Sequence, residues 1–340
     1  MSTTLFPRLA PNETQGTAPM VATGPYLVAT DGTYRADGAL RAAELLGTRY
    51  GAATTVVSVL EPFPIVAPDV QFPLTPEVHA ERHADRLSAV REQLLRMTGD
   101  ERTWPVELRQ GSPPVEINNK ASATNAKLLI VGLGRHNVVD RLFGDETALQ
   151  LLRTASIPVL AVPSRMGYLP KRGIVAMDFS VSAIRAAQLS LEMLEPNGVL
   201  YLVHVIPHDL ETAVWESMHE EYGRSVQSAF DQVSRELSAR SSITIETITL
   251  HGDPATEVLQ WATRVGADLI AAGSHGYGFF SRLLLGSVAS KLLRGATCAV
   301  LGVPLASVPM AVRDAAPCGE QVADSIDDTE LAEMPAGAPG

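Results

Sequence analysis

Residues 292–304 read LLRGATCAVLGVP, and residues 151–163 read LLRTASIPVLAVP. Both describe a helix end, a short turn and an apolar strand that stops at proline. The two stretches lie 141 positions apart (304 − 163 = 141). The same spacing recurs upstream. AKLLIVG at 126–132 pairs with ADLIAAG at 267–273, DRLF from Asp140 with SRLL from Ser281, and RQGSP around Gly111 with LHGDP around Gly252. Self-similarity at a fixed interval marks a duplicated structural unit. Nearer the start, YLVATDGT and GIVAMDFS each place an aspartate, Asp31 and Asp178, just after a short apolar run. That pair is 147 positions apart (178 − 31 = 147), so the connections between strands differ in length.

Each unit alternates strand and helix patterns. In the second, GIVAMD, GVLYLVHVI, ITIETITL, ADLIAAG and CAVLGVP read as strands. Helical stretches separate them. Between residues 211 and 240, Trp215, Met218, Tyr222, Val226, Phe230, Val233 and Leu237 recur at three- and four-residue steps and form a core-facing stripe. Apolar strands separated by helices predict an α/β fold: two tandem five-stranded, parallel, doubly wound Rossmann-like domains. In such sheets ligands bind outside the carboxyl ends of the strands, where strand order reverses.

The duplication predicts this layout: a flexible N-terminus (1–20), a first domain (21–165), a linker (166–172), a second domain (173–305) and an acidic, disordered tail (306–340). A length of 340 residues suits two domains of about 150 each. The net charge of −11 argues against nonspecific attraction to nucleic acid or to an anionic membrane. No apolar run approaches the roughly 20 residues needed to span a bilayer, and the first twenty residues lack a signal-peptide layout. Cys298 and Cys318 have neither metal-site nor disulfide-framework spacing. His79 and His83, four apart on a predicted helix, lack a third ligand and read as a solvated face. These features predict a soluble cytoplasmic protein.

Chemistry concentrates in GSHGYGFFSRLLLGS, residues 273–287. The stretch follows a strand and opens a helix. It is neither GxxxxGK[ST] nor GxGxxG. Its pattern is Gly273, two residues, Gly276, nine residues, then Gly286-Ser287. A helix N-terminus offers unpaired N–H groups and the positive end of the helix dipole to a phosphate. Gly286 lets an oxygen approach the backbone, and Ser287 can cap the helix or donate its hydroxyl.

The pattern G-x2-G-x9-G-[ST], the strand after it, VAMDFS and HGDPATEVL together resemble the universal stress protein family over about residues 20–305. The resemblance implies a tandem member whose two domains pack as an intramolecular pseudo-dimer. It further implies an adenine-nucleotide site, ATP in the first instance. Gly273, Gly276, Gly286 and Ser287 would line phosphates and ribose with the Val288 N–H nearby. Asp178 would contact the adenosine end, the Val205 backbone would read the adenine edge, and Ala176 would face the base. Mg would bind through the phosphates. In the first unit the four loop positions become Gly132, Arg135, Asp145 and Glu146. Two carboxylates then stand where phosphate oxygens would sit, so nucleotide is expected in the second domain only.

The expected role is a non-enzymatic stress sensor or regulator with a protein partner. Further homodimerisation, slow ATP turnover and self-phosphorylation stay open. A nucleotide-independent interaction scaffold is the alternative. ATP-pyrophosphatase-like and receiver-domain chemistries lack their residues here: ATDGT and AMDFS are not SGGxDS-type loops, and neither unit has both an acidic pair after its first strand and a lysine after its fifth.

Overall fold

The computed structural model describes residues 24–62, 75–100, 104–134, 144–207, 213–273 and 287–305; the side chains of 144–145, 213–219 and 287 fall outside that description. The first repeat runs β1 (Tyr26–Ala29), a 3-10 turn (Tyr34–Ala36), α1 (Asp37–Tyr50), β2 (Thr54–Leu60), α2 (Pro76–Thr98), β3 (Val106–Gln110), α3 (Pro113–Ala123), β4 (Leu128–Leu133), α4 (Gly144–Thr154) and β5 (Val159–Pro163). The second repeats the order: β6 (Arg172–Ala176), α5 (Val181–Met193), β7 (Val199–Ile206), α6 (Ala213–Ser238), β8 (Thr244–His251), α7 (Pro254–Val265), β9 (Leu269–Gly273), α8 (Ser287–Gly295) and β10 (Ala299–Val303).

Local chemistry sets the helix ends. Thr75 caps α2 by accepting from the Val78 N–H, Pro76 opens it, and Gly99 closes it in the left-handed region. In the second repeat Asp253 caps α7 by accepting from the Thr256 N–H, Pro254 opens it and Gly266 closes it. Gly111 and Gly252, at matched positions before the proline-led helices α3 and α7, share φ values of 144° and 140°. A side chain would strain either turn.

All ten strands form one sheet, in the order β3-β2-β1-β4-β5-β10-β9-β6-β7-β8. Each repeat is parallel inside. The sequence predicts two five-stranded sheets, and the structure joins them edge to edge. β5 and β10 pair antiparallel, with Val159 opposite Gly302, Leu160 opposite Leu301 and Ala161 opposite Val300. Pairing these strands removes an exposed edge from each repeat, and the antiparallel register is that of a pseudo-two-fold pair.

Strand residues alternate between two faces. One face, with Val28, Ile130, Leu160, Val175, Leu202 and Leu301, is covered by α1, α2, α5 and α6. The other, with Leu129, Val131, Ala161, Ile174, Val203 and Val300, is covered by α3, α4, α7 and α8. Both apolar layers run across the junction. Arg49 Nη1 also donates to the Leu194 carbonyl at 2.5 Å, and Tyr50 Oη donates to the Glu192 carbonyl. Those bonds tie the end of α1 to the end of α5. The segment between β5 and β6 is pinned as well: the Lys171 and Arg172 N–H groups donate to Asp268 Oδ2 at 3.0 and 3.1 Å.

Of the stripe expected on α6, Val226, Phe230, Val233 and Leu237 are buried, and Tyr222 packs against them partly buried. Trp215 and Met218 have side chains outside the described residues, as do both chain termini. Among the described residues, no helix is long and apolar enough to cross a membrane.

Candidate functional site

In the second repeat the chain runs from β6 outward to β7 and β8, then returns to the other side of β6 for β9 and β10. The order therefore reverses between β6 and β9, the usual place for a ligand in an open α/β sheet. Ala176 ends β6, Asp178 follows it by two residues, Val205 lies in the last turn of the pleat of β7, and Gly273 ends β9. Val288 is the second residue of α8, which opens with Ser287. Ala176, Val205 and Gly273 lie at the carboxyl ends of neighbouring strands, Ala176 lying opposite Val203 of β7 and Ala272 of β9. Gly276 and Gly286 lie outside the described residues, and Ser287 is described only as the start of α8.

The structure gives two of these residues more definite jobs. A Cβ on Gly273 would lie 2.4 Å from Ser182 Oγ and 2.8 Å from the Ala183 nitrogen. Its bareness admits the first turn of α5, so a ligand would meet this glycine only through its backbone. Gly132 does the same in the first repeat, where a Cβ would lie 2.7 Å from the Arg35 carbonyl oxygen. Asp178 Oδ1 accepts from the Ser180 N–H at 2.9 Å, and the helix cap is Ser180, whose Oγ accepts from the Ala183 N–H. Burial raises the Asp178 pKa above the usual carboxylate value, and the hydrogen bonds from Ser180 oppose that shift.

His204 is a member of this site that sequence reasoning missed. Its Nδ1 lies 2.7 Å from the Met177 carbonyl, which can only accept, so Nδ1 carries the proton. Nε2 is then the acceptor for Tyr222 Oη at 2.9 Å. Burial pushes the His204 pKa below 6.5, while the Met177 carbonyl and Asp178 pull the other way. The neutral imidazole thus holds the strand end next to Asp178 and links it to α6. Phe179, between them, is buried with a left-handed φ of 60°. Its ring centroid lies 5.2 Å from that of His204, tilted, and 5.0 Å from that of Phe230, edge to face. A lone histidine inside the apolar run GVLYLVHVI was the available signal.

The first repeat shows what these positions enclose. Ala29, Asp31, Val59, Gly132 and Thr147 are the counterparts of Ala176, Asp178, Val205, Gly273 and Val288, by strand register and by the 141-residue spacing. All five line one cavity of about 400 Å³ at the strand ends. That volume lies within the range of about 300–1,000 Å³ common for small-molecule sites. Asp31 makes the same turn as Asp178, accepting from the Thr33 N–H at 2.9 Å.

Two doubly wound repeats, each reversing its strand order at its first strand and joined edge to edge, define a class of paired α/β folds. The chain belongs to the universal stress protein family, whose sequence profile matches it twice, over residues 24–163 and 171–304. A universal stress protein of Methanocaldococcus jannaschii is 30% identical over 141 residues, 39% of this chain and 81% of that protein. One from Mycolicibacterium smegmatis is 24% identical over 290 residues, 82% of this chain and 96% of its own length. The crystal structure of a universal stress protein from Archaeoglobus fulgidus superposes with a TM-score of 0.58 at 19% identity, covering 84% of this chain and 98% of that one. The last likeness concerns the fold, and it spans both repeats.

Proposed function

We propose that the second repeat binds an adenine nucleotide, ATP in the first instance, and that occupancy regulates the chain's association with a protein partner in the cytoplasm. The observation that carries this reading is the intact pattern Gly273-x2-Gly276-x9-Gly286-Ser287, which runs from the end of β9 to the start of α8. A helix N-terminus beside a strand-order reversal suits phosphate. The fit is supported by the cavity that the counterpart residues line in the first repeat. Ala176 and the Val205 backbone would take the base, Asp178 the adenosine end, and Gly276, Gly286, Ser287 and the Val288 N–H the phosphates. A Mg ion would be carried by the phosphates. The role is binding and signalling rather than turnover. In the first repeat Asp145 and Glu146 replace the Gly-Ser pair, and a single nucleotide per chain follows from this reading.

The test is the nucleotide content of freshly purified protein, with calorimetric titration of ATP. The expected result is about one ATP per chain, weakened by about 100-fold or more in Gly286→Asp, which sets a carboxylate against the phosphate. Wild-type affinity in that variant would remove the assigned cradle. No binding at millimolar ATP would favour a nucleotide-independent scaffold.

A further inference from the structure

The cleft of the first repeat lacks the glycine cradle, yet it is not an empty relic. Three arginines line it: Arg35 from the 3-10 turn after β1, and Arg82 and Arg86 from successive turns of α2. Residues four apart share a helix face. All three are half-buried. This concentration of positive charge stands in a chain whose net charge is −11. Arg82 Nη2 donates to the Glu61 carbonyl at 3.1 Å, which holds α2 to the end of β2. Arg86 makes no hydrogen bond or ion pair among the described residues. Asp31 Oδ1 is used by Thr33, and its Oδ2 has no hydrogen bond among the described residues. Glu61 also lines the cavity, and Val57, Val59 and Ile117 supply apolar wall.

The second repeat lacks this arrangement. Val90 of α2 and Phe230 of α6 are the buried residues beside the left-handed positions Gly32 and Phe179. Counting back one and two turns from each reaches Arg86 and Arg82 in one helix, but Val226 and Tyr222 in the other. Tyr222 there is engaged with His204. The two strand ends therefore share a position in the fold and differ in side-chain chemistry.

We propose that the first repeat holds a small organic phosphate bearing hydroxyl groups, gripped by arginine side chains instead of a glycine loop. Planar guanidinium groups match phosphate oxygens in paired hydrogen bonds. Asp31 and Glu61 would accept from hydroxyls, and they disfavour a polyphosphate, whose extra charge they would repel. The proposal stands apart from the nucleotide reading, because it uses none of the residues assigned there.

The experiment is calorimetric titration of the full chain, as wild type and as Gly286→Asp, with ribose 5-phosphate, glycerol 3-phosphate and inorganic pyrophosphate. Both chains are expected to bind at least one of the two phosphomonoesters at about one per chain, more tightly than pyrophosphate and more weakly as salt rises. The double variant Arg82→Gln/Arg86→Gln is expected to lose about ten-fold or more of that affinity while keeping its ATP binding, and Arg86→Gln alone, which breaks no hydrogen bond among the described residues, to lose part of it at an unchanged melting temperature. Arg86→Lys, which keeps charge but loses the fork, is expected to fall between. Absence of phosphomonoester binding at about 10 mM would overturn the proposal, as would binding indifferent to the double variant. Failure of ATP binding alone would leave it standing and overturn only the nucleotide reading.

Discussion

Two strand ends, those of β1 and β6, carry the same Asx turn and solve the next step differently. After Asp31 the chain enters the left-handed region at Gly32, with φ of 79°, and α2 closes over it so tightly that a Cβ would lie 2.9 Å from Ala89 Cβ. After Asp178 the same position is Phe179, a residue that strains to hold φ of 60°. There the ring is retained by Phe230 and His204. The neighbouring strand changes in step: Ser58 stands where His204 does, by the register that pairs Ala29 with Val57 and Ala176 with Val203. His204 spends both ring nitrogens, whereas Ser58 Oγ is buried without a hydrogen-bond partner among the described residues. A duplicated backbone has thus diverged into a strand end backed by an aromatic network and a cleft lined by arginines. The difference lies in the side chains of α2 and α6, of the residue after each aspartate and of the neighbouring strand, while the left-handed turn stays the same.

The most disruptive way to probe this contrast is His204→Ala, expected to cost about 2–4 kcal/mol by opening a cavity and orphaning a buried carbonyl and hydroxyl. Ser58→Ala should be neutral or stabilising, because it removes an unsatisfied hydroxyl; urea unfolding of both variants checks the pair. Next in size, Gly132→Ala and Gly273→Ala are expected to cost similar amounts, about 1–3 kcal/mol each, since both glycines serve helix packing. A loss confined to ligand binding, with unchanged melting temperature, would contradict that role. Gly32→Ala should cost about 1–2 kcal/mol through φ and the contact with Ala89.

A smaller effect is expected from pH. The folded protein depresses the His204 pKa, so below 6.5 the unfolded chain binds more protons than the folded one. Stability from this residue is present above pH 6.5 and declines as pH falls below that value. The thermal penalty of His204→Gln should accordingly shrink from pH 7.5 to pH 5, and a constant penalty would show that His204 titrates normally. Least of all should change when Asp145 and Glu146 become Gly and Ser: ATP stoichiometry is expected to stay at about one per chain, because Arg135 still stands in place of the loop glycine and Asp31 and Glu61 still disfavour a polyphosphate.

Much of this architecture was readable from spacing. The 141-residue interval exposed the duplication, and apolar runs separated by helical stretches located the five strands of the second repeat and implied five in the first. The glycine pattern singled out the second repeat. Other features were hidden because they depend on contacts between distant segments. Arg82 and Arg86 precede Gly132 by about fifty residues, and on their helix they look like ordinary solvated charges. The partnership of His204 with Tyr222 spans a connection of changed length. The packing role of Gly273 was hidden because nothing local says that α5 presses on it.

The sequence by itself determined the two repeats, the parallel α/β units and the difference between their loops. Periodicity and turn chemistry are local, and local patterns survive in a linear string. Only the tertiary structure decided that β5 and β10 join two sheets into one, that α2 turns arginines into a cleft, and that a buried histidine stands behind Asp178. Those outcomes depend on which edges, faces and backbone atoms meet in space. Edge pairing and burial act between residues far apart in the chain, so their energies are set by the assembled fold rather than by neighbours in sequence.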